Sequence, residues 1–469
     1  MTGAMLTIWD QARCRRAHEA TLTVLAEVGV EVRYPKAAEL LASLGARVDG
    51  TRVRIDPPLV EQALAAAPRA SVLKSRGRDA VLDLRLGNSY FGTGSDCLYT
   101  LDPDSGRRRR VVLADVESLA ALSEKLPNID FVMSMGLPED VPHAVDDVAP
   151  FAAMLAGTRK PLIVAPRTGE VLGLMLEMAA ACGEPQSFAI YAMPAPPLQH
   201  DADGLSKLIG CAELQIPLVY APAPSCGATA PMSVTAAAVI GNAEVLSGLV
   251  LHQSVRPGAP YIYGAGVGAM DMRTAVDAYT VPESWLGFQA ACDLARFYGL
   301  PSFSYATVSD SKCLDEQWAV EAGMTAILGA LSGATLLHDV GYLETGLLGS
   351  HESIVLGDEL AGYARAFTKD CRVDDEALAL DEIRQVGPGG NFLARPYTRK
   401  HLPEFWRSSL LDHSVYDRWQ AAGATTLLQR LKDRTQALRA EARAFELEPD
   451  ARTRLDQLLE LVSAERGDR

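Results

Sequence analysis

The chain has 469 residues, is 48% hydrophobic and 22% charged, and carries a formal net charge of −15. That length and composition fit one large globular domain with appendages, or two domains. The acidic balance excludes a nucleic-acid backbone as partner, which needs a concentrated basic face.

The first 30 residues mix Arg13, Arg15, Arg16, Glu19 and Glu27 into a helical pattern and so do not read as a signal peptide. The helical spacing runs over 13–28 and stops at Gly29; second and third helices are expected over 34–44 and 57–67. Between the last two, Asp49-Gly50 marks a small hairpin over 47–55. From residue 88 a rhythm begins. Short apolar or aromatic runs recur at 89–93, 131–136, 161–165, 188–193, 217–221, 260–265, 301–307 and 334–338. Capped helical stretches separate them, at 115–126, 147–156, 169–182, 203–215, 233–253, 282–298 and 315–331, and a last helix is expected over 354–369. Eight alternating units predict an α/β fold, a (β/α)8 TIM-type barrel, with mainly helical N-terminal and C-terminal extensions. The expected boundaries are 1–87, 88–372 and 373–469. A hairpin is expected within 96–114, where Arg107–Arg110 reads as a turn and a solvated strand start. The most apolar stretch, 234–251, carries Asn242 and Glu244 at its centre, so no membrane span is expected. The eight cysteines are scattered with no CxxC pair, which fits a reducing cytoplasm.

In such a barrel, chemistry sits at the C-terminal ends of the strands. The loop after the seventh run gathers Asp310, Lys312, Cys313 and Asp315, with Asp315 reading as a helix cap. Cys97, Cys226 and Cys313 follow strands, and His338 ends the eighth; together they could bind zinc, although each cysteine alone reads as a small buried hydrophobe. Tyr191, Tyr220, Tyr261, Tyr263 and Tyr305 recur at strand ends. They read either as packing residues or as a cage whose ring faces hold a quaternary ammonium, each worth about 0.5–2 kcal/mol. Asp96, Asp271 and Asp310 would add attraction for a cation there. Gly387–Gly390 lacks both the P-loop and GxGxxG patterns and reads as a tight turn ending a helix.

Several motifs, in order, give the chain a wider resemblance. They are Glu27-Val-Gly-Val30, Phe91-Gly-Thr-Gly94, the Leu101–Arg108 turn, Leu126-Pro-Asn-Ile-Asp130 and Asp140-Val-Pro142. Gly227-Ala-Thr-Ala-Pro231, Asn242-Ala-Glu244, Asp271-Met-Arg-Thr274 and Ser309-Asp-Ser-Lys-Cys-Leu-Asp315 follow. Gly387-Pro-Gly-Gly-Asn-Phe-Leu393 and Glu404-Phe-Trp406 close the series. With them the chain resembles the trimethylamine methyltransferase family, including members without pyrrolysine that demethylate quaternary amines such as glycine betaine. The family fold is a (β/α)8 barrel. The family's archetype uses pyrrolysine, whereas every residue here is a standard one, so that mechanism is not carried over. The loop Ser309–Asp315 resembles the region of the special residue, with Val308, Ser309, Ser311 and Lys312 all open as its counterpart.

The resemblance implies transfer of a methyl group from a methylated amine to the Co(I) of a corrinoid (cobalamin) carried by a partner protein, with no tightly bound metal on this chain. The substrate-binding residues it points to are Asp96, Tyr191, Tyr220, Tyr263, Asp271, Tyr305, Asp310, Lys312, His338 and His351. Gly389, Gly390 and Asn391 are expected to contact the corrinoid protein. For a betaine, Lys312, Arg167 or Arg273 would meet the carboxylate. A homo-oligomer in the cytoplasm, with no nucleic acid or membrane partner, completes the expectation. Two alternatives are a zinc-dependent thiol or thioether methyltransferase and a barrel that binds a quaternary amine without turnover.

Overall fold

The computed structural model of the protein describes residues 4–264, 266–442 and 447–467. Eight parallel strands close into a barrel. They are Tyr90–Thr93, residues 131–132, Leu162–Val164, Phe188–Ala192, Leu218–Tyr220, Tyr261–Tyr263, Phe303–Tyr305 and Leu336–Val340. Ladders or single bridges join each to the next, and the eighth pairs with the first through Leu336↔Tyr90 and Leu337↔Phe91. All eight runs read from the sequence are strands. The expected helices fall close to their places, as with Pro282–Tyr298, Glu316–Ser332 and His351–Thr368. Asp315 is the N-cap of Glu316–Ser332, accepting from the Trp318 N–H at 2.9 Å. Asp115 differs: it is inside its helix, reaching back to the Val112 N–H at 2.9 Å, because Leu113 already takes helical geometry.

Strand side chains alternate, so one set faces the barrel axis. Phe131, Met133, Ile163, Ala189, Val219, Ile262, Phe303 and Leu336 form that inner layer. A hairpin, Ala70–Lys74 with Val81–Arg85, inserts Leu73, Leu82 and Leu84 into the same cluster and plugs the lower end. Gly92 is required there, because a Cβ would collide with the Phe131 ring.

The N-terminal helices Gln11–Thr23, Pro35–Ser43 and Pro57–Ala66 pack on the barrel helix Val234–Val255. That cover explains why this helix is apolar on every face. Among the described residues it is the one helix long and apolar enough to cross a membrane, and it is mostly buried inside the protein. Within it Asn242 bonds Thr21, Tyr298 and Tyr263 at 2.8–2.9 Å, and one Glu244 oxygen accepts from the Leu198 N–H at 2.5 Å. The expected hairpins are Arg47–Asp49 with Arg52–Arg54, and Tyr99–Leu101 with Arg108–Arg110. In the second, Arg108 covers the Tyr99 ring at 3.3 Å and pairs with Glu344 at 2.8 Å.

Candidate functional site

Two residues beyond the inner layer, each strand presents its next inward side chain. Ala189, Val219, Ile262, Phe303 and Leu336 lead to Tyr191, Ala221, Gly264, Tyr305 and His338. The small residues on the fifth and sixth strands leave space, and the rings on the fourth, seventh and eighth wall it. The outcome is a cavity of about 340 Å³ at the C-terminal ends of the strands. Ser95 and Asp96 enter it from the first strand's loop, and Asp277 and Tyr279 from the sixth. Phe288 comes from the helix Pro282–Tyr298, Asp339 from the end of the eighth strand, and Tyr342, Thr345 and Leu347 from the chain that follows it.

The rings form two groups. Phe303 and His338 stack at 3.9 Å between centroids and 9° between planes. Tyr191 lies 5.4 Å from Phe303 and 6.2 Å from His338. Tyr305 stacks on Tyr279 at 6.0 Å and meets the Phe288 edge at 4.3 Å. Burial, together with the carboxylates nearby, pushes the phenols of Tyr191, Tyr305 and Tyr342 well up, so the rings stay neutral.

Three carboxylates, Asp96, Asp277 and Asp339, line the same cavity, and among the described residues no Lys or Arg does. His338 Nδ1 bonds Asp339 Oδ1 at 2.5 Å. Asp277 accepts from the Ser225 hydroxyl. Asp96 is exposed on the cavity side; desolvation within the recess pushes its carboxyl up, the Ser95 hydroxyl at 3.0 Å opposes this, and Asp339 adds to the rise. Asp96 and Asp339 both adopt left-handed backbone, with φ of 58° and 66°. Such positions cost about 1–3 kcal/mol each and persist only where the surroundings fix them. Here the Tyr342 hydroxyl clamps the loop before Asp96, accepting from the Ser95 N–H at 2.7 Å and donating to its carbonyl.

A second cavity of about 320 Å³ adjoins at Ser95 and Asp96, lined by Ser134, Leu137, Phe151, Met154 and Arg167 among others. Arg167 pairs with Asp146 at 3.1 Å and Asp147 at 3.5 Å on its rim.

Of the residues expected from the sequence, Asp96, Tyr191, Tyr305 and His338 meet at the first cavity. Tyr220 and Tyr263 do not, because strand alternation turns them outward: Tyr220 meets His200 at 2.6 Å and Tyr263 donates to Asn242 at 2.9 Å. Asp271 is outside, held by Arg273 at 2.8 Å. His351 is buried in the first turn of His351–Thr368 against Ser118 at 2.9 Å, and burial takes its pKa down to about 4. Asp310 acts behind the wall. Its carboxylate accepts from the Tyr279 N–H at 3.1 Å, the Thr280 N–H at 3.0 Å and hydroxyl at 2.5 Å, and the Thr345 hydroxyl at 3.1 Å. It therefore joins the loops after the sixth, seventh and eighth strands. Lys312 is exposed and donates to the Asp310 carbonyl at 2.8 Å, so it neither lines the cavity nor pairs with a carboxylate.

Gly389, Gly390 and Asn391 are also away from the cavity. They belong to a segment whose ends are anchored on the half of His351–Thr368 remote from the mouth, where Trp406 packs on Tyr363. As expected, Gly387 ends a helix, Leu380–Val386, with φ of 67°. The thiols expected near the mouth are apart: Cys97 and Cys226 are buried and Cys313 is exposed. Among the described residues no three His, Cys, Asp or Glu side chains are grouped to hold a metal. Sequence reasoning missed Asp277, Tyr279, Phe288, Phe303, Asp339 and Tyr342. Phe303 and Asp339 had a signal, standing two residues before Tyr305 and one after His338; the others are brought in by loops with no periodic pattern.

Comparison with known proteins agrees with the barrel fold. The family model described as trimethylamine methyltransferase (MTTB) matches residues 2–466. The glycine betaine methyltransferase of Desulfitobacterium hafniense is 32% identical over 98% of this chain and 97% of its own. The trimethylamine methyltransferase of Methanosarcina barkeri is 30% identical over 91% and 89%. In fold, the Methanosarcina barkeri monomethylamine methyltransferase structure aligns over 93% of this chain and 88% of its own, with a TM-score of 0.54 at 13% identity. The barrel, the mouth cavity and a match along almost the whole length lead to one conclusion: the chain belongs to the trimethylamine methyltransferase family.

Proposed function

We propose that this protein removes a methyl group from a quaternary amine and delivers it to the Co(I) of a corrinoid protein docked over the barrel mouth. The observation that carries the reading is the cavity wall: stacked rings and three carboxylates, with no Lys or Arg among the described lining residues. Ring faces attract a quaternary ammonium at about 0.5–2 kcal/mol each once it is desolvated. Carboxylates close by add Coulomb attraction, strengthened by the low dielectric of the recess.

The chemistry asks little acid–base work of the chain. In a quaternary ammonium the nitrogen already bears the positive charge; as the C–N bond breaks, its electron pair stays on nitrogen and a neutral tertiary amine leaves. The corrinoid supplies the nucleophile that takes the methyl group. The residues here bind the cation, point one methyl outward and exclude water, so their main contribution is orientation. A wall that held the charged ground state better than the transition state would slow transfer, which limits how tight the cage can usefully be. For a betaine, Arg167 in the adjoining cavity is the nearest placed candidate for the carboxylate, since Lys312 and Arg273 are outside.

The loops after the strands form the docking rim. Leu137, Met193, Met232, Met272 and Leu347 are exposed on them, and soft, adaptable methionines suit a partner that must engage and leave. Methyl transfer to added Co(I) cobalamin from a panel of tetramethylammonium, choline, carnitine and glycine betaine tests the proposal. Demethylation of at least one is expected. Tight binding with no transfer to cobalamin or to any corrinoid protein would leave a non-catalytic receptor instead.

A further inference from the structure

The recess walled by the rings has a neighbour nearly its own size. The second cavity, about 320 Å³, shares Ser95 and Asp96 with the first, so the two adjoin at that loop. Its opening follows from strand register. Ile163 on the third strand pairs with Ala189 on the fourth, which sets Ala165 beside Tyr191. Where the fourth strand presents a ring, the third presents only a methyl group, and Ser134 after the second strand is also small. The space left is the second recess.

Its walls divide into an apolar length and a charged end. Phe151 and Met154, from the helix Ala149–Gly157, and Ile163 and Val164, from the third strand, line the length, and all four are buried. The charged end holds Asp146, Asp147 and Arg167. Arg167 is fixed there. Its backbone N–H donates to Asp147 Oδ1 at 2.7 Å, and its guanidinium donates to Asp146 Oδ1 at 3.1 Å and meets His143 Nε2 at 3.1 Å. The Arg167 side chain remains 43% exposed and that of Asp146 34%, so both signs of charge stay accessible.

A guanidinium beside two carboxylates complements a group that itself carries both signs. A lone carboxylate would meet Arg167 but also two anions; a lone ammonium would meet the anions but also Arg167. An α-amino acid terminus, with an ammonium and a carboxylate on one carbon, answers both. The register sets the length between the ends. Arg167 comes two residues after Ala165, so one strand spacing and a two-residue rise separate its backbone from that of Tyr191, roughly 8 Å in all. An extended chain covers about 1.2 Å per bond, so this span corresponds to about six or seven bonds. A nitrogen and a carboxylate oxygen three bonds apart reach only about 4 Å and stay within the first recess.

We propose that the two recesses together take one ω-trimethylammonio α-amino acid. Its quaternary head is held among Tyr191, Phe303 and His338, its methylene chain passes Asp96 along Phe151 and Met154, and its amino acid end meets Asp146 and Arg167. Nε-trimethyllysine has the matching length, with its quaternary nitrogen six bonds from the α-nitrogen and seven from the carboxylate oxygens. The assignment rests on the quaternary-amine reading of the first recess and adds the identity of the tail.

Calorimetry on the full chain compares trimethyllysine, its analogue without the α-amino group, its analogue without the α-carboxylate, and tetramethylammonium. Trimethyllysine should bind at least ~10-fold more tightly than either analogue, because each gives up charge-assisted hydrogen bonds at the far end. R167Q should lower the preference for trimethyllysine over tetramethylammonium by ~10-fold or more. Either analogue matching trimethyllysine overturns the proposal, and so does an unchanged preference in R167Q. Tetramethylammonium binding with no gain for trimethyllysine also overturns it, and leaves the ammonium reading of the first recess standing. Binding of none of the four overturns that reading and the proposal with it. Should R167Q fail to fold, the wild-type series decides, because there only the ligand changes.

Discussion

The cavity depends on which way single side chains turn. Tyr191 and Tyr305 face the axis and line it, whereas Tyr220 and Tyr263, on equally short strands, face the helices. One step along a strand makes that difference, and runs of three or four apolar residues buried on both faces do not show it in the sequence. Asp310 was legible as a mouth residue but not in its role, because its partners Tyr279, Thr280 and Thr345 are about 30 residues or more away. Asp310→Ala should strand those donors and cost about 1–3 kcal/mol of stability, with weaker ligand binding as the three loops loosen; urea melts and calorimetry read both. Lys312→Met should leave ligand affinity unchanged, since the amine only meets an exposed carbonyl. Asp339→Asn keeps the shape of the site and removes one charge. It should lower affinity for tetramethylammonium by ~10-fold, in line with a screened charge pair a few ångströms apart, and an unchanged Kd would place the cation elsewhere.

Among elements, the eight strands and their helices were plain in the sequence because each is a short apolar run bounded by caps, Gly or Pro. The lower plug was not read, since Ala70–Lys74 and Val81–Arg85 alternate only weakly and three leucines carry their packing. Leu84→Ala should cost about 2–5 kcal/mol by opening a void under the barrel core, seen as a lower denaturant midpoint. The helix Val234–Val255 carries a pH signature. Burial pushes the Glu244 carboxyl up from 4.5 to about 8. Between those values the folded chain holds a proton that the unfolded chain has released, so this group's contribution to stability falls as pH rises through that window. Glu244→Gln should flatten the decline in Tm between about pH 5 and 8; an identical slope in the variant would assign the dependence to other groups.

At the scale of the molecule, the two ends of the barrel differ. Its upper end gathers a recess of rings and carboxylates, and its lower end is closed by the hairpin plug and flanked by the segment 369–407. The fold and the family were legible because periodicity and ordered motifs run the length of the chain. The composition of the recess was legible only in part, since Asp277, Tyr279 and Phe288 reach it from an inserted hairpin and a helix start that no spacing rule connects to the strands. The central claim is that this recess recognises the positive charge of a methylated nitrogen. Calorimetry with choline and with its neutral carbon analogue, in which a quaternary carbon replaces the nitrogen, tests it most directly because the two ligands share shape and apolar area. The account predicts that choline binds at least ~10-fold more tightly, the yield of one or two cation–ring contacts and a nearby carboxylate. Equal affinities would show that the cavity selects shape alone and would contradict it.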